Sequence, residues 1–142
     1  MREKTLLLLG LMRRAGAIAV GEDNTGDAAK SGKTRLLLLA SDASPNARKR
    51  AEGFARGHSF PTVELPFDKE ELSAHVGVGG CSMAAVTDMG FADALMRLLS
   101  QLDPERYGQI AQETADRYER MKRRKRSTQQ SNKRTGKRRT NG

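Results

Sequence analysis

The stretch RLLLLASDASP, Arg35 to Pro45, decides the fold. Four consecutive leucines, Leu36 to Leu39, follow a turn and end at Ala40. A surface strand alternates apolar and polar residues, so an unbroken run this short suits a strand buried on both faces. Pro45 then stands where a helix can begin, because its missing N–H falls among the amides that the first turn leaves unpaired anyway. A two-sided buried strand handing over to a helix predicts a layered α/β domain, and the flanking sequence extends that pattern in both directions.

Toward the N-terminus, Glu3 to Arg14 reads as a Leu-rich helix stopped by Gly16, and Ala17 to Val20 as a short strand. Glu22 to Ser31 reads as a second helix, with acids in its first turn and Gly32 as its stop. Toward the C-terminus, Pro45 to about Arg56 is the third helix and Thr62 to Leu65 a brief strand. Asp68 caps a fourth helix, with Glu71 three residues on completing a capping box. Gly77-Val78-Gly79-Gly80 is a loop, Met83 to Thr87 a strand and Phe91 to Leu102 a fifth helix. Helices and strands alternate, so the expected fold is a three-layer α/β/α sandwich around a small mixed sheet. The expected units are residues 1–102 for this domain, 103–126 for a basic helix opened by Asp103-Pro104 with sparse apolar positions, and 127–142 for a disordered basic tail.

Charge is divided unevenly along the chain. Residues 1–100 hold 13 Lys or Arg against 12 Asp or Glu, a net +1; residues 101–142 hold 13 against 5, a net +8. A near-neutral body with a polycationic tail attracts polyanions by counterion release, without sequence specificity. The residues expected to make such contacts are Lys122, Arg123, Arg124, Lys125, Arg126, Lys133, Arg134, Lys137, Arg138 and Arg139. Trp is absent and aromatic residues make up only 4% of the chain, which argues against base stacking on an aromatic platform. The single cysteine, Cys81, excludes an internal disulfide and fits a reducing cytoplasm. No run is long and apolar enough to span a membrane, and Gly10, Arg13 and Arg14 interrupt the apolar N-terminal stretch, so no export signal is expected.

Catalytic motifs fail on order and spacing. Ser31-Gly32-Lys33-Thr34 resembles the end of a phosphate loop, but Asp27 stands where the upstream glycine belongs. The segment also closes a helix and opens a strand, the reverse of what such a loop requires. Gly77, Gly79 and Gly80 follow a helix and precede a strand, again the wrong order for a dinucleotide fingerprint. His58 and His75 show no ligand spacing with Cys81, and Glu70 and Glu71 are adjacent on a helix and point apart. The chain is therefore expected to be neither an enzyme nor a holder of a metal or cofactor. Gly21-Glu22-Asp23-Asn24 is different: it sits where a strand passes into a helix N-terminus, and unpaired amides gather there that suit a phosphate or a base edge.

Three segments in order, LLGLMRRAGAIAVGED (8–23), LLLLASDASPNARKR (36–50) and AAVTDMGFADAL (84–95), resemble the kink-turn-binding ribosomal protein superfamily, the L7Ae family, and within it the small bacterial YlxQ-like branch. The resemblance runs from about Glu3 to Leu99 and leaves the tail outside it. It implies an α/β/α sandwich that binds structured RNA, typically a kink-turn, without catalysis. It also implies ribosomal or other ribonucleoprotein RNA as the partner, with contacts to ribosomal proteins, and a monomer when free. By motif, the implied RNA-binding residues are Gly21, Glu22, Asp23, Asn24 and Asp27, with Gly79, Gly80, Cys81 and Ser82 in the loop before the last strand. The family's kink-turn binders usually read Gly-x-Asn-Glu-x-x-Lys in the first segment. Here Gly21 matches, while Asp23, Asn24 and Asp27 replace Asn, Glu and Lys. The alternative is a protein–protein adaptor of the same fold that has lost specific RNA recognition.

Overall fold

A computed structural model describes residues 1–140, with side chains described for 1–126. The order is α1 (Arg2–Arg14), β1 (Ile18–Val20), α2 (Glu22–Lys30), β2 (Leu36–Leu39), α3 (Pro45–Ala55), β3 (Thr62–Glu64), α4 (Lys69–Val76), β4 (Met83–Val86), α5 (Met89–Leu102) and α6 (Pro104–Thr140). The strands form one sheet in the order β1-β4-β2-β3. It is mixed: β2 pairs with β3 in parallel, while β4 runs antiparallel to both β1 and β2.

The leucine run occupies the interior, as its composition requires. Leu36 and Leu38 enter a core with α1, α4 and α5, whereas Leu37 and Leu39 face α3 through Ala43, Ala47 and Ala51. Successive residues of a strand point to opposite faces, so one tetrapeptide supplies both cores. Each buried leucine contributes about 1.5–3 kcal/mol. The helix starts are set as expected from sequence. Ser44 accepts from the Ala47 amide ahead of Pro45, and Asp68 and Glu71 form the capping box of α4.

Gly26, in α2, is a close-packing position. A Cβ there would lie 2.9 Å from the ring of Phe54 in α3. The glycine costs α2 about 1 kcal/mol of helix propensity, and in exchange α2 and α3 lie close enough to cover one face of the sheet together.

The main departure from the sequence reading is α6. Its first half belongs to the body: Tyr107 and Thr114 are buried, and the Tyr107 hydroxyl donates to the carbonyl of Glu64. The Glu64 carboxylate accepts from both Arg48 of α3 and Arg106 of α6, and these partners hold its pKa below the ordinary range. The docking stripe is Tyr107, Ile110, Ala111, Thr114 and Tyr118, spaced by three or four. Alanine and threonine carry part of it, which hides it from a count of large apolar residues. The helix also runs on to Thr140, where the sequence reading ends it near Arg126 and expects a disordered tail from residue 127; half of residues 127–140 are Arg, Lys or Gln, which are good helix formers, and half are Ser, Thr, Asn or Gly, which are poorer ones. The side chains of Lys133, Arg134, Lys137, Arg138 and Arg139 lie outside the described residues.

Candidate nucleic-acid interface

The antiparallel pairing of β1 with β4 places the end of β1 beside the start of β4, so two segments distant in sequence meet. Gly21 follows β1 with φ 94°, a conformation that favours glycine, and its amide donates to the carbonyl of Met83 at 3.0 Å. The same amide lies against the sulfur of Cys81. The Cys81 side chain is buried and its thiol donates to the Met83 carbonyl. Burial pushes that thiol's pKa up, so it stays neutral. Cys81 therefore fixes the loop from inside and offers no side chain outward. Its own amide is held by the Ser73 hydroxyl of α4 at 2.9 Å, which leaves Gly79 and Gly80 exposed and Ser82 half-buried beside the junction.

No side chain caps α2, so the amides of its first turn face outward with the positive end of the helix dipole. The acids around them are treated differently. Glu22 pairs with Arg50 of α3 at 2.8 Å, whereas Asp23 and Asp27 are exposed and make no ion pair among the described residues. Asn24 donates from its amide to the Val20 carbonyl at 2.9 Å, which ties the side chain across the turn. A groove of about 490 Å³ runs from this point along the outer edge of β1. Asn24, Asp27 and Ser31 form one wall; Arg13, Lys33 and Thr87 line it as well.

The groove brings in two residues that lie outside the family motif. Arg13 and Lys33 are both exposed, and neither belongs to an ion pair among the described residues. Lys33 stands in the Ser31–Thr34 segment that resembles the end of a phosphate loop. Ser31 and Gly32 do close α2, with Gly32 at φ 73°, and the turn delivers Lys33 to the groove. Of the expected site, Gly21 lies against Cys81 and Asn24 and Asp27 share the groove, whereas Gly79 and Gly80 line a separate pocket with Lys69, Glu70, Ser73 and Ala74. Lys122 to Arg126 lie on α6, apart from the junction. Among the described residues no cluster of His, Cys, Asp and Glu has the makings of a metal site, and no helix is long and apolar enough to cross a membrane.

This fold, helices on a small mixed four-stranded sheet, is that of the L7Ae-type proteins. The profile of the Ribosomal protein L7Ae/L30e/S12e/Gadd45 family matches residues 3–96, and the chain belongs to that family. Among its relatives, the RNA-binding protein YlxQ of Enterococcus faecium is 30% identical over 98 residues, covering 69% of this chain and 93% of that one. The RNA-binding protein YlxQ of Bacillus subtilis (strain 168) is 33% identical over 92 residues, covering 65% and 91%. About a third of this chain thus has no counterpart in either. A solved protein of unknown function from Bacillus halodurans C superposes with a TM-score of 0.62 at 28% identity, covering 68% of this chain and 97% of that one. The Giardia lamblia 15.5kD RNA binding protein shares the fold, with a TM-score of 0.56 at 18% identity, covering 70% and 84%.

Proposed function

We propose that the chain is a non-catalytic, cytoplasmic RNA-binding protein that recognises structured RNA of the kink-turn kind, as part of a ribosome or another ribonucleoprotein. The observation that carries this reading is the bond from the Gly21 amide to the Met83 carbonyl, with Cys81 buried beside it, which sets the start of α2 next to the end of the 79–82 loop. Uncapped amides of α2 suit a phosphate or the edge of an unstacked base. The glycine loop lets a backbone approach closely. Arg13 and Lys33, on the wall of the same groove, supply positive charge where position 27 holds an acid. The YlxQ relatives, named as RNA-binding proteins, support the same assignment.

The exposed carboxylates of Asp23 and Asp27 favour a second reading, an adaptor that keeps the fold and binds protein instead. One experiment separates the two. The full chain is titrated against a labelled kink-turn RNA in an excess of unlabelled straight duplex, which occupies the polycationic segment. Retained binding to the kink-turn supports RNA recognition by the body. Complete displacement by the straight duplex favours the adaptor.

A further inference from the structure

The opposite end of the sheet carries a different set of groups. Arg35 enters β2 there, its amide donating to the Val86 carbonyl at 2.7 Å, whereas Gly21 is held to Met83 at the other end of β4. Tyr118 of α6 packs beside Gly90 at the start of α5, so α6 passes this same end. Arg117, Arg120 and Arg124 recur at spacings of three and four and share one face of that helix. With Arg35, Ser59 and Met121 they line a cleft of about 500 Å³.

No ion pair joins any of these four arginines to a carboxylate among the described residues, and residues 127–142 contain no Asp or Glu. The nearby acids of α6 point to other partners, Glu113 accepting from Gln109 at 3.4 Å, Asp116 from Gln112 at 3.1 Å and Glu119 from Lys122 at 2.8 Å. Guanidinium groups held together repel one another, and planar forks that match phosphate oxygens are the chemistry that uses such an arrangement. From Arg117 to Arg124 the face extends about 10 Å along the helix, longer than one phosphate group. It continues into the basic run Lys122 to Arg126. A strand of linked phosphates fits that shape better than a single small anion.

We propose that this cleft is a second RNA contact, a phosphodiester-backbone site that grips a duplex stem leading away from the RNA held at the Gly21 junction. The proposal rests on the RNA-binding reading above. The cleft depends on α6, which lies beyond the residues that match the family profile, so it is a property of this chain and not of the shared domain.

The test uses the full chain and two RNAs: a kink-turn with short stems, and the same kink-turn with one stem lengthened by about one helical turn. The variant Arg35→Gln/Arg117→Gln/Arg120→Gln changes three side chains of the cleft. Expected are a loss of about tenfold in affinity for the long-stem RNA and a salt slope lower by about 2–3, with short-stem affinity changed less than about twofold. The unchanged short-stem affinity shows that the variant is folded. A second variant with lysine at the same three positions keeps the salt slope on the long stem. Equal losses on both RNAs, or no loss on either, overturn the cleft. If the unsubstituted chain binds neither RNA, the RNA-binding reading fails and this proposal falls with it. If it binds both and the triple variant does so equally well, only the cleft fails.

Discussion

At the Met83 end of β4 the chain presents glycines, backbone amides and acids, two of them unpaired among the described residues. At the Val86 end, three strand residues away, it presents four guanidinium groups with no ion pair among the described residues. The first end can select by shape, because its donors are fixed to the backbone. The second can add affinity but little selection, because phosphates are alike in every sequence. The difference teaches that affinity and recognition are separable in this protein and respond differently to salt. Backbone-directed hydrogen bonds carry little salt dependence, whereas every cation that neutralises a phosphate releases counterions.

The comparison is broken most strongly by removing the basic segment. Deleting Lys122 to Gly142 takes away ten Lys or Arg and no acid. RNA affinity at low salt should fall by about a hundredfold or more, with a visibly flatter salt dependence. A salt titration giving the same slope before and after the deletion would remove the segment from binding. The next largest effect concerns the docking of α6. Tyr107→Ala empties a buried site and should destabilise the fold by about 3 kcal/mol or more. Tyr107→Phe loses only the hydroxyl bond to Glu64, about 1 kcal/mol. Denaturant melts of the two variants that coincide would show that Tyr107 does not anchor the helix.

The junction sharpens the comparison from the other side. Asn24→Ala should weaken kink-turn binding by roughly 1–2 kcal/mol for a lost polar contact, without changing the salt slope. Asp27→Lys should tighten binding by about 1 kcal/mol at a screened surface. Anisotropy titrations in competitor duplex measure both, and no change in either variant would reduce the junction to a plain helix start. The smallest effect is a pH dependence. Arg48 and then Arg106 hold the Glu64 carboxyl below its ordinary pKa of 4.5. The folded value is lowered, so the stabilisation is present above pH 4.5 and is lost as pH falls through the folded pKa. Glu64 is about a third exposed, so the contribution is under about 1 kcal/mol. Glu64→Gln should flatten the acid limb of a stability–pH curve below pH 4.5, and an unchanged limb would remove the pair from the account.

The sequence made the body legible because its signals are local. A leucine tetrapeptide, an Asp-x-x-Glu capping box and glycines at helix ends each specify their own neighbourhood. The junction was legible only through motif order, since the meeting of Gly21 with Cys81 depends on strand pairing that no local pattern encodes. The inward turn of Cys81, the Arg48–Glu64–Arg106 linkage and the groove cations Arg13 and Lys33 are tertiary in the same sense. The docking of α6 was hidden by composition: Ala111 and Thr114 do the packing that Leu or Ile signals elsewhere.

An amide map tests the junction as the recognising surface. Isotope-labelled full-length protein is titrated with a kink-turn RNA at a salt concentration high enough to suppress the polycationic segment, and backbone amide shifts are followed. The account predicts the largest perturbations at Gly21 to Asn24 and Gly79 to Ser82, with smaller ones at Arg13 and Lys33. Perturbations confined to α6, with the junction amides unmoved, would contradict it.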